Sequence, residues 1–223
     1  MICNIIFDCF GTLIDAGSGS VEATGQILKN VKSEENPQVF YKKWKTLKKD
    51  MMIGDKFYSE KELFAISLNK MFEEYNIKAD ALKEVQPMIR VLFSERKVFK
   101  ETKETLKMLD EKGIRYAIGS TTDTDSIEYF LKQNELNIEN VFTSEDMRVY
   151  KPFPRFYEEI LKSTGWDVDE CLFVGDNLID DIKGPQSIGM KAVLIDRKST
   201  YDINSGIKPD YIISSLNELE NII

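Results

Sequence analysis

The chain contains no histidine. That excludes Ser-His-Asp and Cys-His mechanisms and His-ligated metal centres together. Acid–base or metal chemistry must therefore rest on carboxylates, lysines and hydroxyls. Cysteine is scarce: Cys3, Cys9 and Cys171 match neither a disulfide framework nor metal-ligand spacing. Each lies in or beside an apolar strand-like run, as expected of reduced core thiols in a cytoplasmic protein. Apolar runs fall far short of the roughly 20 residues of a bilayer span. No basic segment precedes the short N-terminal apolar run, so no signal peptide is expected. Positive charge is in deficit, with 30 Lys+Arg against 38 Asp+Glu and a net charge of −8. Nucleic-acid and anionic-membrane partners are accordingly disfavoured.

What remains is ordinary for a globular chain, 223 residues with 42% hydrophobic. Short apolar runs ending in small or polar residues mark five strands: "CNIIFD", "RYAIGS", "ECLFVGD", "KAVLID" and "DYIIS". Helical patterns separate them at 101–112, 124–134, 153–163, 178–188 and 215–222. The alternation predicts an α/β fold, a doubly wound, Rossmann-like parallel sheet covered on both faces. Ligands would then bind at the carboxyl ends of the strands.

Residues 16–95 interrupt the alternation with amphipathic helical stretches only. "NPQVFYKKWKTLKKDMM" carries Pro37 near its start, and Ser59 with Glu62 forms a capping-box pattern. Pro87 breaks the last stretch. The pattern predicts a Rossmann-like catalytic core from 1–15 and 96–223, with an inserted all-helical cap domain over 16–95. The basic run "YKKWKTLKK" reads as a solvated helix face, with Phe40 and Trp44 in the core of the insert.

Polar residues follow the predicted strands: Asp8 after "NIIF", Ser120 after "YAIG", and Asp176, Asp180 and Asp181 after "LFVG". Lys151 stands before Pro152 in a loop expected to be extended. In a parallel sheet these ends converge, which would gather a nucleophilic carboxylate, an acidic pair, a hydroxyl and an ammonium. Such a set suits Mg²⁺, which prefers hard oxygen donors, and phosphoryl oxygens held by Lys and Ser. Thr12 caps the turn, orients Asp8, or both.

"FDCFGTL", "GSTTD", "KP" and "VGDNLIDDIKG", in this order, resemble motifs I to IV of the haloacid dehalogenase-like hydrolase superfamily. The resemblance runs over essentially the whole chain, and 16–95 resembles that family's helical cap. It implies that Asp8 attacks substrate covalently and that water hydrolyses the aspartyl intermediate. It implies Mg²⁺ on Asp8, the Phe10 carbonyl, Asp176 and Asp181. It also implies a catalytic set of Asp8, Thr12, Ser120 and Lys151, with substrate contacts from Phe10, Gly11, Ser120, Thr121 and Lys151.

The motifs leave two chemistries open. Phosphatases of the family mostly place a second Asp two residues after the nucleophile, where it serves as acid and base. Here that position is Phe10, as in the 2-haloacid dehalogenases, whose halide leaves without a proton. Against this, dehalogenases are metal-independent and resemble "SSN" where this chain has "GDN". They also use an arginine early in the cap, whereas no arginine here precedes Arg90. Lys42, Lys43 and Lys45 stand in that region instead, and lysine does not replace a bidentate fork. An anionic Asp176 beside Asp8 makes sense when a cation joins them. The expectation is a Mg²⁺-dependent phosphatase of a small phosphorylated metabolite. The alternatives are a metal-independent 2-haloacid dehalogenase and, behind it, a non-catalytic binding protein on the same fold.

Overall fold

The computed structural model describes residues 1–17, 19–54 and 56–223. Its contacts divide the chain into two compact units. One comprises Met1–Ala16, Arg96–Thr121 and Leu131–Ile223, and the other Gly17–Glu95 with Thr122–Phe130. Among the described residues the strands are β1 (Asn4–Phe7), β2 (Arg115–Ser120), β3 (Val141–Thr143), β4 (Cys171–Gly175), β5 (Lys191–Ile195) and β6 (Tyr211–Ile213). The helices begin with α1 (Gly19–Asn30), α2 (Pro37–Met51), α3 (Glu60–Glu74), α4 (Ala81–Glu84) and α5 (Gln86–Val91). They continue with α6 (Thr102–Lys112), α7 (Thr124–Gln133), α8 (Ser144–Met147), α9 (Pro154–Thr164) and α10 (Gly184–Gln186). None is long and apolar enough to cross a membrane.

All strand pairs are parallel and the order is β3-β2-β1-β4-β5-β6. This is the α/β architecture expected from the alternation, with one strand more. β3 is only Val-Phe-Thr and carries no apolar run that sequence periodicity could register. β1 and β4 are buried throughout, as the inner strands of a sheet packed on both faces must be. One face meets α9, where Phe156, Tyr157 and Ile160 pack with Ile6, Ala117 and Phe173. Two expected helices differ in kind. Residues Leu178–Lys183 form a π-helical turn before α10, and Leu216–Asn221 is a 3₁₀ helix.

The second unit is helical. Phe40, Trp44, Phe64, Leu68, Met71, Phe72 and Met88 form its core. The Trp44 indole donates to Ser67 Oγ at 2.7 Å, so its buried N–H is satisfied. Lys42, Lys43 and Lys45 lie on the exposed face of α2. Pro87 stands in the first turn of α5, directly after the break from α4. The unit also takes in Thr122–Phe130, which an insert bounded at 16–95 leaves out.

The start of α3 shows why. Ser59 and Glu62 form the capping box at 3.2 Å and 2.7 Å. The Asp123 carboxylate covers the remaining first-turn donors, accepting from Glu60 N at 2.5 Å and Lys61 N at 3.1 Å. A buried anion on a helix N-terminus satisfies both the orphan N–H groups and the helix dipole. The Ser59 bond lies at the surface, where water can replace it, whereas removing Asp123 strips two donors in a partly buried setting of their partner. Ser59→Ala is therefore expected to cost about 1 kcal/mol and Asp123→Ala about 2 kcal/mol or more. Urea unfolding measures both, and equal losses would refute the assignment.

Candidate active site

β1 runs Asn4–Phe7 without a polar side chain after Asn4, and its ladder continues one residue further through Asp8 N to Val174 O at 2.8 Å. Asp8 thus leaves the sheet between its two neighbours. β2 lies on one side of β1 and β4 on the other, which makes this the topological switch point of the sheet. The chain then reverses. Leu13 N and Ile14 N both donate to Cys9 O, and Gly11 N donates to Ile14 O at 2.7 Å. Gly11 has φ +96°, and a Cβ there would stand 2.7 Å from Asp176 Cγ. Both the backbone and the neighbouring carboxylate demand glycine.

Lys151 is the hub. Its Nζ lies 2.7 Å from Asp8 Oδ1 and 2.8 Å from Asp181 Oδ1, with its side chain 1% exposed. Asp181 Oδ2 accepts from Asn177 N at 2.9 Å, which fixes the second oxygen of that carboxylate. Thr12 Oγ1 approaches Asp8 Oδ2 at 3.4 Å. Asp8, Asp176 and Asp181 each present a carboxylate oxygen within 4.8 Å of the others. Asp181 owes its place to the π-helical turn and to Gly175, where any Cβ would collide with its carboxylate. Tyr157 supports the same turn, donating its hydroxyl to the Asp180 carbonyl.

The electrostatics are unbalanced, since three carboxylates share one ammonium. Burial pushes the Asp8 carboxyl up, Lys151 pulls it down, and Asp181 and Asp176 raise it again, leaving it at about 7. Asp176 reaches solvent as a residue, but its carboxyl rests against Gly11. Partial desolvation and then Asp181 lift it to about 6. For Lys151, burial opposes the charge, yet Asp181 and Asp8 outweigh it and hold the ammonium above its ordinary value. A hard divalent cation among these oxygens would supply the missing positive charge, and no softer donor stands in the set. The residues present therefore fit such an ion.

Ser120 ends β2, buried, and register brings it to the same edge: Ile118 pairs with Phe7 in the neighbouring strand. Thr121 follows it, half-buried. Phe10 forms a bridge with Ile14, and the Arg96 guanidinium carbon lies 4.9 Å from its ring centroid. Cys9 is fully buried and its thiol is pushed up by that burial, so it is an inert core group. The loop at Lys151 is a turn, not the extended stretch expected, and the Lys151–Pro152 bond is cis. Asn177 caps the turn before Asp181, its side-chain oxygen accepting from Ile179 N and Asp180 N. Sequence reasoning missed Asn177, although it stands inside "VGDNLIDDIKG", and missed Tyr157 and Arg197, which no pattern separates from an ordinary core or surface residue.

A family model for haloacid dehalogenase-like hydrolases matches residues 5–195. Glyceraldehyde 3-phosphate phosphatase from Methanocaldococcus jannaschii is 33% identical over 129 residues, covering 56% of this chain and 56% of that protein. The chain spans about half the length of the relatives it matches at this level. (S)-2-haloacid dehalogenase 4A from Burkholderia cepacia is 25% identical over 97% of this chain and 89% of its own. Among solved structures, the HAD-hydrolase YfnB from Bacillus subtilis, bound to magnesium, superposes with a TM-score of 0.80 at 19% identity. It covers 99% of this chain and 98% of its own.

The raised carboxyls make stability depend on pH. Asp8 moves from its ordinary 3.8 to about 7 on folding. The folded chain then holds a proton that the unfolded chain has released, and stability falls as pH rises between those values. In metal-free buffer, Asp8→Asn should melt at a higher temperature than the natural chain at pH 8. The gap should close towards pH 5. A gap equal at both pH values would refute the electrostatic account.

Proposed function

The chain belongs to the haloacid dehalogenase-like hydrolase family, and we propose that it is a Mg²⁺-dependent phosphatase of a small phosphorylated metabolite. One observation carries this reading: three clustered carboxylates share a single buried ammonium at the carboxyl ends of β1 and β4. A dehalogenase, working without metal, would gain nothing from Asp176 beside its nucleophile. The relatives named as phosphatases and the magnesium-bound structural neighbour support the same reading.

In this mechanism Asp8 attacks phosphorus, the bond to the leaving oxygen breaks, and an aspartyl phosphate forms. Water then hydrolyses that intermediate, releasing inorganic phosphate and restoring Asp8. Lys151 orients the attacking carboxylate through its 2.7 Å contact and offsets charge on the phosphoryl group. Thr12 holds the other carboxylate oxygen. Ser120, Thr121 and the backbone at Phe10 and Gly11 line the phosphoryl side. Asp8, the Phe10 carbonyl and Asp176 would hold Mg²⁺, with Asp181 in support. When bound, the ion supplies the positive charge that keeps Asp8 ionised and balances the phosphoryl oxygens.

A second reading keeps one specific observation in its favour. Phe10 cannot give a proton to a leaving oxygen, and a halide needs none. The 25% identity to a 2-haloacid dehalogenase over nearly the whole chain goes with it. The two readings separate in a paired assay on p-nitrophenyl phosphate and 2-chloropropionate, each with Mg²⁺ and with EDTA. Phosphate release that requires Mg²⁺ and disappears in Asp8→Asn is expected. Metal-independent chloride release would overturn the proposal. Inactivity in both assays, with no Mg²⁺ affinity, would favour a binding protein. Within the phosphatase reading, turnover should fall steeply from aryl to alkyl phosphates, because an unprotonated alkoxide is the poorer leaving group. A flat dependence would mean that another residue supplies the proton.

A further inference from the structure

The turn that follows Asp8 is held from behind by a residue at the far end of another strand. Arg197 lies two residues beyond β5 and uses all three guanidinium nitrogens. Nη2 donates to Thr12 O at 2.8 Å and Nε approaches Gly11 O at 3.4 Å. Nη1 pairs with Glu101 Oε1 at 2.5 Å. The guanidinium carbon lies 3.6 Å from the centroid of the Phe99 ring, so the fork is stacked as well as bonded. Burial would raise the Glu101 carboxyl, but hydrogen bonding and charge from Arg197 hold it below its ordinary value.

The neighbouring carbonyl is held too. Leu13 O accepts from Thr102 Oγ1 at 2.8 Å and from Phe99 N at 3.1 Å. Three consecutive carbonyls, of Gly11, Thr12 and Leu13, thus point at one scaffold made of Arg197 and the segment before α6. Thr12 is fully buried, and its hydroxyl faces Asp8 on the other side. Gly11 is pinned between Arg197 at its carbonyl and Asp176 at its Cα.

We propose that Arg197 is a positioning residue for the reaction at Asp8: it fixes the Gly11–Thr12 turn, and through Thr12 the attacking carboxylate. The proposal rests on the reading of Asp8 as nucleophile. It requires a planar fork with three directed donors, a geometry that the single ammonium of lysine cannot reproduce. Arg197 touches none of Asp8, Asp176 and Asp181 and meets the turn at backbone carbonyls, so its loss should act on the chemical step and spare binding.

The test uses Arg197→Lys and Arg197→Met, with Glu101→Gln to loosen the fork while keeping the arginine. Two readouts are needed on the full chain. The first is steady-state kinetics with p-nitrophenyl phosphate and Mg²⁺. Here kcat should fall on the order of 10–100-fold in both Arg197 variants, since misplacing a reacting group by about an ångström can cost up to about 100-fold, while KM changes about twofold or less. Glu101→Gln should lie between these and the natural chain. The second is amide hydrogen exchange in metal-free protein. Exchange over residues 8–15 should rise about tenfold in Arg197→Lys, with β4 and β5 unchanged. Unchanged kcat with unchanged exchange would overturn the proposal. So would a uniform rise in exchange over the whole sheet, which would mark Arg197 as a general stabiliser. If the natural chain releases no phosphate, the reading of Asp8 has failed. Exchange localised to 8–15 would then still separate a held turn from a free one, and its absence would reject that hold independently.

Discussion

The buried ammonium of Lys151 is the contact on which the site depends. Asp8 and Asp181 both face it within hydrogen-bond distance, and no water-exposed group of equal charge could take its place. Without it, two desolvated carboxylates would repel each other at the edge of the sheet and take up protons. Much else in the core unit follows from bringing these groups together. Gly175 must lack a side chain because Asp181 occupies that space, and Gly184 must lack one because the Tyr157 ring does. Asn177 spends its side chain on the π-helical turn and its backbone N–H on Asp181. An acidic cluster of this kind is costly by itself, and one ammonium offsets only one of its three carboxylate charges. On the proposed reading, the remaining charge is what a divalent ion would balance.

The parallel sheet determines why residues so distant in sequence meet. β1 has β2 on one flank and β4 on the other, so the loops after β1 and β4 diverge and leave a crevice between them. Asp8 and Asp176 stand on its two walls. The loop after β1 is then held on several sides: by its own turn, by the segment before α6, and by Arg197 beyond β5. A nucleophile on a loop gains precision only if the loop has nowhere to go. The carbonyls of Gly11, Thr12 and Leu13 meet that requirement, which leaves the Asp8 side of the turn available for chemistry.

Much of this was legible in the sequence. Three of the strands, β1, β2 and β4, lead into the site residues, because an apolar run closed by Asp, Ser or Gly-Asp registers both a buried strand and its exit. Asp8, Asp176 and Asp181 were named on that ground and Lys151 from its place before Pro152, and the structure brings their charged groups together. β3 escaped because only two apolar residues, Val141 and Phe142, precede Thr143. The π-helical turn escaped because its apolar residues, Leu178, Ile179 and Ile182, also fit an α-helix. Thr122–Phe130 read as the helix after β2, and in the fold it goes with the helical unit. What ties it there is the Asp123 carboxylate on the first turn of α3, a contact between residues sixty positions apart. Arg197 could not be read at all. Its significance lies in three acceptors whose directions only the folded loop defines.

Phe10 and Asp176 pull the chemistry in opposite directions, and their physical consequences differ in kind. Asp176 bears on whether the nucleophile can be anionic. With Asp8 at about 7 in the metal-free protein, an added cation would convert a half-protonated carboxyl into a full carboxylate. Phe10 bears on the step after attack. Its ring fills the position where an acid would stand, under the guanidinium of Arg96, and offers no proton. On the proposed reading, a site with the first property and not the second would form an aspartyl intermediate but depend on its substrate for the departure. Good leaving groups, whether an aryl oxide, a phosphorylated anion or a halide, would satisfy that dependence equally. Selectivity among them would then fall to charge, and under the proposed reading a divalent cation held by the acidic cluster would favour a phosphoryl group over a haloacid.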